Sequence, residues 1–169
     1  MATTAFWSAA RRLSCSASSI VTREVTGHHN LTIDGYKATS RKLSGRWSAA
    51  SQTFEAGGYN WRVTYQPNSN SWSECIDLYL EHVHDDHHGP DSADGRLRAD
   101  DPVEIKLSLL DKAGNPVPEY SRSSGLCYFT KESMSKGFLR FLWSTDLEKS
   151  GYLKDDRFTV RCEITVIKS

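Results

Sequence analysis

The histidines and aspartates of residues 82–87 have the clearest catalytic spacing in the sequence, because the run HVHDDH fits the pattern HxHxDH. His82 and His84 stand two positions apart, so in an extended strand end they share one side. Asp86 and His87 would then reach a second metal ion, and two metal ions about 3.5–4 Å apart generate and position a hydroxide. Taken alone, the pattern predicts a metal-dependent hydrolase.

The rest of the sequence argues against that chemistry. HxHxDH is the signature of metallo-β-lactamase-fold hydrolases, which bring further His ligands from distant downstream segments, but no histidine follows His88. Neither a Gly-rich phosphate loop nor a GxSxG elbow is present. We therefore interpret residues 82–101 as a polar loop between two strands. We expect neither an enzyme nor a cofactor, and keep the hydrolase as a disfavoured alternative.

Composition limits the remaining classes of function. The chain has 169 residues, 25% charged and 38% hydrophobic, which is enough for one soluble domain with its own core. Lys plus Arg and Asp plus Glu are both 21, and this balance argues against a general nucleic-acid binder. No apolar run is long enough to cross a bilayer. We expect a monomer of the cytoplasm or the nucleus, with no nucleic-acid or membrane partner.

The N-terminal segment and the cysteines bear on compartment. Residues 1–20 are rich in Ser and Ala, and no acidic residue precedes Glu24, as in an organellar transit peptide. We prefer a disordered segment leading into a folded domain at 21–169. The four cysteines include no CxxC pair, and Cys75 and Cys162 stand in apparent strands. They are interpreted as buried thiols in a reducing compartment, although an even count permits two disulfides.

The elements that would position any site are short strands. Past residue 20 the sequence is a series of alternating apolar and polar runs separated by turn signals. Clean alternation is typical of antiparallel sheets with one solvated face, so we predict an all-β antiparallel sandwich of about eight strands. One short helix is predicted before the last strand, with Ser144 or Thr145 as its N-cap and Gly151 as its stop.

The order and spacing of these runs resemble the MATH domain, the TRAF-like β-sandwich of plant BTB/POZ-MATH proteins, from about Ser19 to the end. The matching stretches are HNLTIDGY, FEAGGYNWRVTYQPN, IDLYLEHV, KLSLLDKAGNPVP and KGFLRFLWSTDLEKSGYLKDDRFTVRCEITVIK. The resemblance implies a protein-binding module without catalysis that recognises short, extended, Ser/Thr-containing peptides of client proteins.

The same resemblance implies a wider assembly. Such a module is the substrate-recognition part of a cullin-type ubiquitin-ligase adaptor, or a stand-alone MATH protein lacking BTB. We expect the BTB domain to be absent from this chain. BTB and cullin partners are then expected only if a BTB domain follows natively.

The resemblance also assigns a peptide-binding groove to six positions. They are Tyr79, Ile105, Cys127, Lys136, Gly137 and Phe138. Cys127 and Lys136 stand where animal relatives have aromatic residues, so we expect a peptide that differs from the animal consensus or binds weakly. Tyr79 lies on the polar side of its strand, as an exposed binding aromatic should. Ile105 lies on the apolar side of its strand, and Phe138 suits the core as well as the groove.

Overall fold

The computed structural model describes residues 16–43, 47–67, 74–83, 101–130 and 132–168. These residues form nine strands and two short helices. In chain order they are β1 (Arg23–Asp34), α1 (Tyr36–Lys42), β2 (Ala49–Ala50), β3 (Phe54–Ala56), β4 (Tyr59–Pro67), β5 (Cys75–His82), β6 (Val103–Leu110), β7 (Pro116–Cys127), β8 (Ser135–Trp143), α2 (Ser144–Lys149) and β9 (Arg157–Lys168). In the described part, neither helix is long and apolar enough to cross a membrane.

The strands form two antiparallel sheets. The first sheet has the order β1-β9-β6-β7, and the second has the order β2-β4-β5-β8, with β3 also paired to β4. All seven strand pairings are antiparallel. The prediction of an all-β antiparallel sandwich is confirmed.

The core lies between the central strands of the two sheets. The buried alternating residues of β4, β5, β6 and β9 are Trp61, Val63, Tyr65, Ile76, Leu78, Leu80, Val103, Ile105, Leu107, Leu109, Phe158, Val160, Cys162, Ile164 and Val166. Each large apolar side chain buried in this way stabilises the fold by about 1.5–3 kcal/mol. The period-two pattern therefore identified the inward face of every central strand.

The cysteines fit this core. Cys75 and Cys162 are buried, as predicted, and Cys127 is partly buried. These three cysteines, which are the ones within the described residues, are free thiols. Burial raises the pKa of the Cys162 thiol to about 12, so that group is held as an unreactive, neutral thiol.

The helices differ in part from expectation. α2 lies where a helix was predicted, but its N-cap is Trp143, without a side-chain capping bond, rather than Ser144 or Thr145. Gly151 follows with a φ of 75°, as expected of a stop residue. Helix α1 was not predicted. It begins after Gly35, whose φ of 73° turns the chain, and Tyr36 at its start is buried.

One side of the sandwich is closed by β1 against β3. The ring of His29 stacks on Phe54, with centroids 4.2 Å apart and planes 6° from parallel. Burial, and then the charge of neighbouring His28, lowers the pKa of His29. At Gly27, a Cβ would lie 2.8 Å from that of Ala56, so glycine permits the close approach of the two strands. The other side of the sandwich, where β7 and β8 meet, is built differently.

A β-bulge shapes β8 near this second side. Between the pairs Ile76–Leu142 and Leu78–Phe138, β5 contributes Asp77 alone and β8 contributes three residues. Asp77 alternates with the inward-facing Ile76 and Leu78 but is itself buried, and its carboxylate accepts a hydrogen bond of 2.6 Å from the backbone N–H of Arg140. Arg140 adopts a φ of 51° at the bulge. The buried acid thus satisfies an amide that the ladder leaves free.

Candidate peptide-binding edge

Tyr79 and Gly137 form a shelf on the outer face of the second sheet. The two residues are directly paired across β5 and β8. The Tyr79 ring lies over Gly137, because a Cβ at Gly137 would be only 2.8 Å from Cε1 and 3.0 Å from Cδ1 of the ring. Burial, and then the charge of Asp77, raises the pKa of Tyr79, so the phenol is a neutral hydrogen-bond donor and acceptor at physiological pH.

The surface around this shelf is shallow. Thr64 is paired with Tyr79 on the side away from Gly137, and Ala50 is paired with Thr64. These paired residues form a row across the four strands β2, β4, β5 and β8, in which small residues lie on both sides of the Tyr79 ring. Glu81, on the same face, is already held by Arg62 at 2.6 Å and by the Thr64 hydroxyl at 3.1 Å.

Phe138 and Lys136 lie on the opposite face of β8. They pair with Leu78 and Leu80, whose side chains are buried between the sheets. Phe138 is only 8% exposed and belongs to the core cluster, and Lys136 is partly buried. Of the two roles open for Phe138, the structure places it in the core at the rim of the sandwich.

Ile105 and Cys127 lie in the other sheet. Ile105 is fully buried in β6, which is flanked by β7 and β9, so its side chain is enclosed on all sides. Its assignment to the peptide-facing surface is therefore corrected: Ile105 is a core residue. Cys127 ends β7, packs partly against the core, and donates its thiol hydrogen to the Val103 carbonyl at 3.2 Å.

The open edges of the sandwich meet at β7 and β8. Each is the last strand of its sheet, and they contact each other across the gap between sheets. Large apolar side chains are exposed on or directly beside them: Leu126 in β7 by 60%, Tyr128 just after β7 by 51%, and Leu139 in β8 by 60%. Arg122 of β7 donates from Nη1 to the Leu139 carbonyl of β8 at 3.0 Å. Sequence reasoning missed these residues, because their exposure depends on which strands end the sheets.

Four of the six predicted site residues, Tyr79, Gly137, Lys136 and Cys127, therefore remain partly or fully exposed, whereas Ile105 and Phe138 are buried. Tyr79 and Gly137 lie on the outer face of the second sheet, whereas Lys136, Phe138 and Cys127 lie on the faces turned toward the gap between the sheets. The backbone of β8 separates the two groups. A ligand that contacts both must lie along the open edge of β8.

The HxHxDH pattern does not contribute to this edge. His82 is buried and packs edge-on against Trp61 and Tyr59, with centroids 5.2 Å and 6.0 Å apart. The remaining members of the pattern, at 84–87, lie outside the described residues. Across 16–43, 47–67, 74–83, 101–130 and 132–168, no group of three or more His, Cys, Asp or Glu is placed to hold a metal ion.

The fold and edge define an antiparallel β-sandwich with an open strand beside an aromatic shelf. The chain belongs to the MATH domain family, whose sequence profile matches residues 28–164. The family is one of protein-interaction modules, and this supports a protein-interaction role here.

Relatives from Arabidopsis thaliana agree with this assignment. The chain is 30% identical to BTB/POZ and MATH domain-containing protein 5 over 94% of its own length and 38% of the relative's. It is 29% identical to protein 3 of the same series over 91% of its length and 37% of the relative's. The chain thus spans a little over a third of the length of these relatives.

Proposed function

We propose that this domain binds an extended segment of a client protein by adding it as a strand to the open edge of β8. The observation that carries the proposal is the division of the candidate residues between the two sides of that strand. Tyr79 and Gly137 lie on one side, and Lys136, Phe138 and Cys127 lie on the other.

A strand added to β8 would use both sides. Successive side chains of an extended peptide point in opposite directions, so alternate residues would meet the Tyr79 shelf and the mouth between the sheets. The backbone of β8 would supply hydrogen bonds that do not depend on peptide sequence. The two side-chain sites would supply specificity, with the exposed Leu139 as a further apolar contact.

The names of the relatives extend the proposal to an assembly. They combine a MATH domain with a BTB/POZ domain, so we propose that this chain recognises clients as part of, or in parallel with, such adaptors of ubiquitin ligation. Clients are proposed to carry short Ser/Thr-containing segments and to be met in the cytoplasm or nucleus. Because Cys127 and Lys136 supply no aromatic contact, we expect weaker binding than an aromatic-lined groove would give.

The test begins with selection of ligands from a display library of random dodecapeptides. Selected peptides are then added to the isotope-labelled protein, and amide exchange is measured for each residue. We expect new protection along β8, with none along β1, which ends the other side of the first sheet. Y79A should weaken binding, whereas T32A, an exposed strand residue of the first sheet, should leave it unchanged. Protection at β1 instead, or equal binding by Y79A, would exclude the proposed edge.

A further inference from the structure

Arg122 bridges the two sheets at their open side. It pairs in register with Leu107, whose side chain is buried between the sheets, so the Arg122 side chain also leaves β7 on the inward face. Because β7 ends its sheet, no further strand of that sheet encloses this side chain, and Arg122 is exposed. Its guanidinium crosses the gap and donates to the Leu139 carbonyl of β8.

This contact occupies a backbone acceptor that an added strand would use. β5 is the strand paired with β8, and the Arg122 donor comes from the opposite sheet, so the Leu139 carbonyl is engaged from outside the β5–β8 ladder. In the free domain the edge is therefore closed at Leu139. A peptide strand that runs past this point must release the guanidinium and give it another acceptor.

Charge indicates what that acceptor is. Arg122, Lys136 and Arg140 line the edge, and none of them takes part in an ion pair within the described residues. Elsewhere, exposed arginines of this chain do pair with carboxylates, as Arg62 does with Glu81. A guanidinium binds a carboxylate more strongly than a neutral carbonyl, because the bond is charge-assisted and can be bidentate.

We propose that Arg122 determines peptide specificity by exchanging the Leu139 carbonyl for an acidic side chain of the client. The preferred ligand is then an extended segment with an Asp or Glu near the position opposite Leu139. Lys136 and Arg140 favour the same charge. This inference rests on the proposed addition of a strand to β8.

The first part of the test needs no ligand. The carbonyl carbon shift of Leu139 is measured in the wild type, R122Q and R122K. Loss of the guanidinium bond should move this resonance in R122Q, whereas R157Q, which removes the same charge from β9, should not move it. An unchanged Leu139 resonance in R122Q would overturn the bridging role.

The second part uses the peptides selected from the dodecapeptide library. Each acidic residue is replaced in turn by its amide, and affinities are measured at two salt concentrations. One such replacement should cost wild-type and R157Q protein about tenfold in affinity, which is the size of a charge-assisted contact. The same replacement should cost R122Q less than about threefold, with R122K between them.

The outcomes separate the two proposals. Peptides that protect the β8 amides but tolerate every acid-to-amide change would refute the role of Arg122 and leave strand addition standing. Peptides that bind without protecting β8 would refute both. An equal loss in the wild type and R122Q would also overturn the inference, because the acidic residue would then contact another group.

Discussion

Replacing Gly137 by alanine tests whether the Tyr79 ring depends on a missing side chain. The Cβ of G137A would lie 2.8 Å from Cε1 of the ring, a distance that real contacts do not reach, so the ring must leave its place. Gly137 has no left-handed φ, and the strand itself therefore accepts alanine. The variant should thus displace the shelf without unfolding the domain.

Two opposing terms set the effect of G137A on the free energy of unfolding. Displacing the ring exposes part of its apolar surface, at a cost of about 1 kcal/mol, roughly the transfer free energy of one buried CH₂ group. Replacing glycine by alanine in a strand stabilises the fold by about 0.5–1 kcal/mol, because alanine loses less backbone conformational entropy on folding. G137A alone should therefore change the free energy of unfolding by less than about 0.5 kcal/mol. In a Y79A background the ring term is gone, so G137A should stabilise by about 0.5–1 kcal/mol.

A double-mutant cycle measures this coupling. Urea unfolding followed by tryptophan fluorescence gives the free energies, and we expect Gly137 and Tyr79 to couple by about 1 kcal/mol. Ser135, two positions earlier in β8 and paired with Glu81, is the matched control, since S135A should show no coupling to Y79A. If G137A changed the free energy of unfolding equally in the wild-type and Y79A backgrounds, the two residues would not be coupled and the reasoning would be refuted. Selected peptides should also bind G137A more weakly, because their shelf has moved.

Three further predictions concern the groups that support the edge. D77N should cost about 1–3 kcal/mol of unfolding free energy, measured in urea, because the bulge amide of Arg140 loses a charged acceptor; an unchanged midpoint would contradict this role. A variant keeping only Cys162 should resist a thiol reagent until it unfolds, while one keeping only Cys127 should react in the native state; equal rates would contradict the burial. The lowered pKa of His29 favours its neutral form in the fold, so its contribution is present above about pH 6.5 and is lost as pH falls below it. H29F should flatten the stability profile as pH falls below about 6.5, and an unaltered slope would count against this assignment.

The sequence carried enough information to predict the architecture. The apolar residues of β9, from Phe158 to Val166, alternate without interruption, and such a run buries one face wherever the strand is placed. Burial is a property of period and composition, so it could be assigned before any strand pairing was known. The position of Tyr79 on the solvated face follows from the same rule. Helix α1 was not predicted, because a helix of seven residues shows too little apolar periodicity to be recognised. The burial of Tyr36 in the tertiary structure stabilises this helix.

The candidate site depended on pairings that are not local. Ile105 matched a groove position, yet β6 lies between β7 and β9, and this placement encloses its side chain. Arg122 and Leu139 stand 17 positions apart in different sheets, and no periodicity signals that one bonds to the other.

The sequence by itself therefore determined the sandwich, the inward face of its central strands and the resemblance to a family of interaction modules. Only the tertiary structure decided which strands end the sheets, that the Tyr79 ring rests on Gly137, and that Arg122 donates to the Leu139 carbonyl. The physical reason is that alternation is fixed residue by residue along a strand. An edge, by contrast, is defined by the neighbour that a strand lacks, and that depends on the arrangement of the whole sheet.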